Sequence, residues 1–73
     1  MVEVRLFAGL RQGRQKIHFM EPDSVKTVQD IMDVLNMQRS EVNILLINGF
    51  HQKPETEVRD EDIVSLFPAV GGG

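Results

Sequence analysis

Apolar and polar positions alternate from the start of the chain: Val2, Val4, Leu6 and Ala8 fall on one face, Glu3, Arg5 and Phe7 on the other. A period of two is that of a half-buried strand, and it leaves Phe7 on the polar side. Gly9 and Gly13 bracket a turn carrying Arg11, and Arg14 to Met20 alternates again with Ile17 and Phe19 placed inward, so this stretch predicts a β-hairpin. Glu21 to Ser24, with Pro22 inside it, breaks the pattern. Thr27 then stands as an N-cap before Val28, Ile31, Met32 and Leu35, with Asp30 at the third helical position. That spacing predicts one short amphipathic helix from Val28 to Asn36, its stripe, Met32 included, packing into the core. Val42 to Ile47 is apolar on both faces, as in a strand covered on both sides. Asn48 and Gly49 signal a tight turn, Phe50 to Glu57 reads as a polar loop or short strand, and Asp62 to Phe67 forms the last strand. Pro68 lacks an N–H and is expected to end pairing just beyond Phe67.

The order β-β-α-β-β fits an α+β fold, a β-grasp roll with one short helix on a mixed sheet. Residues 1–70 would form the domain and residues 71–73 a glycine tail. In that topology the first and last strands are parallel neighbours, which brings Phe7 and Phe67 together on the face away from the helix. An exposed aromatic pair there would be a docking patch.

Composition narrows the function. Seventy-three residues suffice for one small domain without a deep cleft, and the chain has no cysteine for a disulfide, a thiolate metal site or a nucleophile. Any sulfur chemistry must borrow a partner's cysteine. A net charge of −3 argues against nucleic-acid binding, and no apolar run is long enough for a membrane span. The N-terminal residues enter the strand pattern at once, without the features of a signal peptide, so a cytoplasmic location is expected. Charge is uneven: Arg5, Arg11, Arg14 and Lys16 face only Glu3 in residues 1–20, whereas Glu55, Glu57, Asp60, Glu61 and Asp62 face only Arg59 in residues 55–62. Such asymmetry can orient a protein partner. His18 and His51 are isolated from further ligands, so no metal site is expected.

The ending Phe67 Pro68 Ala69 Val70 Gly71 Gly72 Gly73 carries the most specific chemistry. Glycines without Cβ atoms can pass through a narrow channel and deliver an α-carboxylate to another protein's active site. Together with Val4 to Ala8, Leu10 Arg11, Thr27 Val28, Ile47 Asn48 Gly49, and Asp60 with Asp62, this ending resembles the small ubiquitin-like sulfur-carrier family. That family includes the small subunit of molybdopterin synthase and the sulfur carrier of thiamine biosynthesis. Glu61 stands where the family usually has glycine, Ala69 replaces a second proline, and the connection from Met37 to Glu41 is closer to the thiamine branch.

The resemblance implies a carrier or non-catalytic subunit with no bound cofactor. An adenylyltransferase related to ubiquitin-activating enzymes would use ATP to activate Gly73, and a sulfur donor enzyme would supply the sulfur of a thiocarboxylate. A sulfur acceptor enzyme, such as the molybdopterin synthase large subunit, would receive it. By matching positions, Gly73 carries the sulfur, Gly71 and Gly72 let the tail thread, and Phe7, Phe67, Arg11, Pro68 and Val70 meet the partner. Two other readings stay open: a noncovalent ubiquitin-like interaction module, and a modifier whose Gly73 forms isopeptides with target lysines.

Overall fold

The computed structural model describes residues 1–69. Val70 and the glycines Gly71, Gly72 and Gly73, and with them the expected boundary between domain and tail, lie outside the described residues. The first alternation becomes β1 (Val2–Leu6), with Val2, Val4 and Leu6 buried. An antiparallel β2 (Ile17–Met20) lies on one side of it. On the other lies β5 (Ile63–Pro68), parallel to it. Parallel pairing needs a long crossover, and the intervening chain supplies it. Antiparallel β3 (Val42–Ile47) continues the sheet from β5, and β4 (Phe50–His51) closes its far edge. The strand order is therefore β2-β1-β5-β3-β4, with β5 at the centre.

One helix, α1 (Val28–Val34), supplies Val28, Ile31 and Met32 to a core shared with Val2, Val4, Leu6, Leu45, Ile47, Val64 and Leu66. This is the β-grasp roll expected from the sequence, and the stretch from Phe50 to Glu57, read as a polar loop or short strand, contributes the two-residue β4. At the helix start, Asp30 N–H donates to Thr27 Oγ1 at 3.2 Å and Thr27 N–H to Asp30 Oδ2 at 3.1 Å, a reciprocal capping box. Backbone N–H bonds from Lys26 and Thr27 hold the Asp30 carboxyl below its ordinary pKa. The helix stops earlier than its apolar spacing suggests, because Leu35 is the C-cap and Asn36 turns left-handed at φ 54°. Arg14 covers that end, donating to the carbonyls of Leu35 and Asn36 at 3.2 and 3.3 Å. A cation near the helix C-terminus also suits its dipole.

Three expectations need correction. Ala8 does not extend the first strand: it takes φ 50° and opens a 3-10 turn, Ala8–Arg11, that buries Leu10. Ile17 and Phe19 do not point inward. The register sets Val2 against Met20 and Val4 against His18, so His18 and Met20 share the core side, while Ile17 and Phe19 stand opposite Arg5 and Glu3. Cross-strand partners share a face, so the neighbouring strand and not the size of the side chain decides which way β2 points. Phe19 stays 63% exposed and Ile17 43%, and His18 Nε2 is buried without a hydrogen-bond partner among the described residues. Finally, pairing runs one residue past Phe67, since Pro68 sits opposite Val42. A β-bulge between Val42 and Ile44 breaks the ladder there, where a proline without an N–H is tolerated.

The start of β5 is clipped to the β3–β4 turn. Asn48 Nδ2 donates to Asp62 Oδ1 and Ile63 N–H to Asn48 Oδ1, both at 2.9 Å, and the Arg59 N–H donates to Asp62 Oδ2 at 2.8 Å. Beside this clip, Glu61 occupies the left-handed region at φ 70°. A side chain there costs about 1–2 kcal/mol relative to glycine, more than the extra unfolded-state entropy of glycine recovers. Glu61→Gly is therefore expected to raise unfolding stability by about 0.5–1 kcal/mol, seen as a higher urea midpoint at unchanged slope. An unchanged or lower midpoint would show that the turn carries no such strain.

Candidate functional site

Because β5 is central, its C-terminal end at Pro68 lies in the middle of the sheet and not at an edge. Phe7 continues the β1–β5 ladder, its N–H donating to the Leu66 carbonyl at 3.2 Å. It therefore lies beside Phe67 on the face opposite α1. Their rings stack with centroids 4.3 Å apart and planes 8° from parallel. Arg11, on the 3-10 turn, donates from Nε to the Leu6 carbonyl at 2.8 Å. That bond holds its guanidinium carbon 5.6 Å from the centre of the Phe7 ring, within cation–π reach. The structure thus gathers Phe7, Phe67, Arg11 and Pro68 at one end of the sheet.

The apolar surface is larger than the two phenylalanines. Register places Ile44 opposite Phe67, and Leu46 opposite Ser65. Ile63 lies beside Glu3 on the same face. Ile17 and Phe19 join from β2. The two-sided apolar run of β3 already signalled Ile44 and Leu46. Nothing in the spacing of β2 alone signalled Ile17 and Phe19, because their side depends on pairing with β1. No part of the described chain covers this face. At its edge, Arg5, Leu6, Phe7, Arg11, Lys16 and Ile17 line a shallow depression of about 230 Å³.

The acidic residues near the last turn do not join this group. Asp62 is occupied by the clip to Asn48, and Asp60 pairs with the Met1 ammonium, which holds the Asp60 carboxyl below its ordinary pKa. An open groove of about 650 Å³ lies beside Phe50, on the wall formed by that clip, away from the stacked rings. Among the described residues no three His, Asp or Glu side chains converge to hold a metal ion. No helix among them is long and apolar enough to cross a membrane.

A five-stranded mixed sheet gripping one helix, with an uncovered apolar face beside the outgoing central strand, defines a ubiquitin-like β-grasp protein. Residues 4–73 match the ThiS family. The chain belongs to this family of small ubiquitin-like sulfur carriers. Among solved structures it is similar to the HVO 2177 protein of Haloferax volcanii, with 30% identity, 99% of this chain and 85% of that one covered, and a TM-score of 0.74. SAMP1 of the same organism is 25% identical over 99% and 98% of the two chains, with a TM-score of 0.73. In the complex of subunits 1 and 2 of the molybdopterin-converting factor from Helicobacter pylori, the matching chain is 23% identical, covers 99% and 97%, and has a TM-score of 0.66. No curated protein matches the chain.

Proposed function

We propose that this chain carries sulfur on the carboxyl group of Gly73 for molybdopterin biosynthesis. An adenylyltransferase would join a Gly73 carboxylate oxygen to the α-phosphate of ATP, releasing pyrophosphate. A sulfide equivalent from the donor enzyme then attacks the acyl carbon, AMP leaves, and a thiocarboxylate remains. Activation is required because a carboxylate is a poor electrophile and has no leaving group. The loaded tail would enter the active site of an acceptor enzyme, such as the molybdopterin synthase large subunit, and give up its sulfur there. The observation that carries this reading is the placement of Phe67 and Pro68: the strand that feeds the tail ends within the uncovered apolar face, beside the Phe7–Phe67 stack. A partner seated on that face receives the tail at a fixed origin. Family membership and the likeness to a chain in the complex of subunits 1 and 2 of a molybdopterin-converting factor support it.

The thiazole branch is the second reading, favoured by the short connection between α1 and β3. Incubation of the untagged protein with ATP, a sulfur donor system and the adenylyltransferase from the same source is expected to add the mass of one oxygen-to-sulfur exchange. No gain with an adenylyltransferase active on its known substrate would sink the carrier reading. Transfer of the sulfur from loaded protein to a pterin precursor, and not to a thiazole precursor, decides the branch.

A further inference from the structure

We propose that two copies of this chain pair through the open edge of β2, antiparallel about a two-fold axis at His18, and join their sheets into one. The sheet has two edges, β2 and β4. Leu6 N–H donates to the Lys16 carbonyl at 2.8 Å, and that bond, with the β1–β2 register, fixes which groups of β2 face β1. Bonded pairs alternate along an antiparallel ladder, so His18 and Met20 bond to Val4 and Val2. The amides and carbonyls of Ile17 and Phe19 therefore point to the open side, without a hydrogen-bond partner among the described residues. Proteins blunt such an edge by brevity, charge or proline. The β4 edge is brief: Gln52 N–H donates to the Leu45 carbonyl at 3.0 Å, and the same alternation leaves His51 as the outward-facing residue of that strand. The β2 edge has no such protection. From Ile17 to Met20 it contains no proline, Asp, Glu, Lys or Arg, and its outward-bonding residues are two exposed apolar side chains.

A second copy fits this edge because β2 is complementary to itself. Directly opposed residues share a face, so Ile17 and Phe19 of one copy must meet residues that stand on the uncovered side of the other. With the axis at His18, Ile17 lies opposite Phe19 of the second copy, and Phe19 opposite its Ile17. Each of these pairs exchanges both of its main-chain bonds, so every free amide and carbonyl of the two edges is used. Each is also an aromatic and β-branched pair, a favoured cross-strand combination. An axis at Phe19 would set Ile17 against Glu21, whose carbonyl already accepts from the Ser24 N–H at 3.0 Å and hydroxyl at 2.8 Å. An axis at Ile17 would set Phe19 against Gln15, outside the strand. The pairing is independent of sulfur carriage and leaves the Phe7–Phe67 stack open, since β1 stands between β2 and β5. At about 4.8 Å per strand the two β5 strands would lie about 24 Å apart, running in opposite directions with their Pro68 ends pointing away from each other.

An interface of two short strands is small, so the dimer should be weak, with a dissociation constant on the order of 0.1 mM. Sedimentation of the untagged chain from about 10 µM to about 2 mM should show the mass rising from one chain towards two. Phe19→Lys should weaken the dimer at least about tenfold and stay folded by circular dichroism, its side chain being exposed. Phe50→Lys on the β4 edge and Phe67→Ala on the sheet face should each leave it within about twofold of wild type. Register is read by cross-linking, because the chain has no cysteine of its own. At the axis, residue 18 meets its copy as a non-bonded pair with Cα atoms about 4.5 Å apart, close enough for a disulfide. With diamide as oxidant, His18→Cys should therefore link to a dimer about tenfold faster than Gln15→Cys, although Gln15 is exposed and His18 only partly so. Hydrogen exchange on the wild type supplies a readout that needs no variant: the Ile17 and Phe19 amides should gain protection as concentration rises. A monomer at every concentration overturns the proposal. So does a dimer that survives Phe19→Lys, is lost in Phe67→Ala or Phe50→Lys, or forms without protecting those two amides, since each outcome places the contact on another surface. Faster linking of Gln15→Cys than of a folded His18→Cys overturns the axis at His18.

Discussion

Deleting Gly73 is expected to abolish sulfur loading while leaving the fold and the encounter with the adenylyltransferase unchanged. The expectation follows from reach. One residue spans at most about 3.3–3.6 Å of extended chain, whereas reacting atoms must come within about 3–3.5 Å in the correct orientation. A tail that starts from a fixed origin at Pro68 and is one residue short leaves its carboxylate a full residue away from the nucleotide phosphate. Misplacement by about 1 Å already costs on the order of a hundredfold in rate, so the deletion removes detectable loading. Intact mass after incubation with ATP, sulfur donor and adenylyltransferase reads this directly, and the association rate serves as the control. Loading of the deleted chain at a rate near wild type would place the reacting group elsewhere and end the tail-based reading.

Substituting Leu66 and Phe67 separately should split stability from docking, although the two residues are adjacent. Leu66 is fully buried on β5, paired to Leu6 on one side and Leu45 on the other. Leu66→Ala removes buried methyl groups from the middle of the core and should cost about 2–5 kcal/mol. A domain of this size holds only about 3–5 kcal/mol in total, so the variant should lose most of its stability, seen as a steeply lowered urea midpoint or an unfolded circular dichroism spectrum. Phe67 points to the opposite, uncovered face and its main contact is the ring of Phe7. Phe67→Ala loses that stack, worth about 0.5–1.5 kcal/mol, and should remain folded with a modestly lower urea midpoint. Its binding to the adenylyltransferase should weaken by about ten- to a hundredfold, as for an aromatic anchor at an interface centre. A urea midpoint for Leu66→Ala no lower than that of Phe67→Ala, or undiminished binding by Phe67→Ala, would contradict the assignment of the two faces.

Period and punctuation alone determined a good deal of this protein. Val2, Val4 and Leu6 declared an inward face, Thr27 and Asp30 the helix start, Asn48 and Gly49 a tight turn, and the run Val42–Ile47 a strand, although only its Leu45 and Ile47 face is buried and the second cover its apolar pattern implied is absent among the described residues. Each is a local matter of spacing, capping or backbone freedom, written within a few residues of where it acts. The stacked aromatic pair was legible one step further, because the topology that brings the first and last strands together also brings Phe7 to Phe67.

What only the tertiary structure decided depends on pairing between distant segments. Ile17 and Phe19 alternate as a buried set would, yet they face outward because β1 already places Val2 and Val4 inward and β2 must follow its register. The same holds for Pro68, carried into the ladder by a bulge on β3, and for Asp62, drawn into a clip with Asn48 instead of being offered to a partner. A strand's own alternation fixes which residues share a face but not which face meets the core. That choice is made by the neighbouring strand, and here it turns Ile17 and Phe19 from expected core residues into part of the uncovered apolar face.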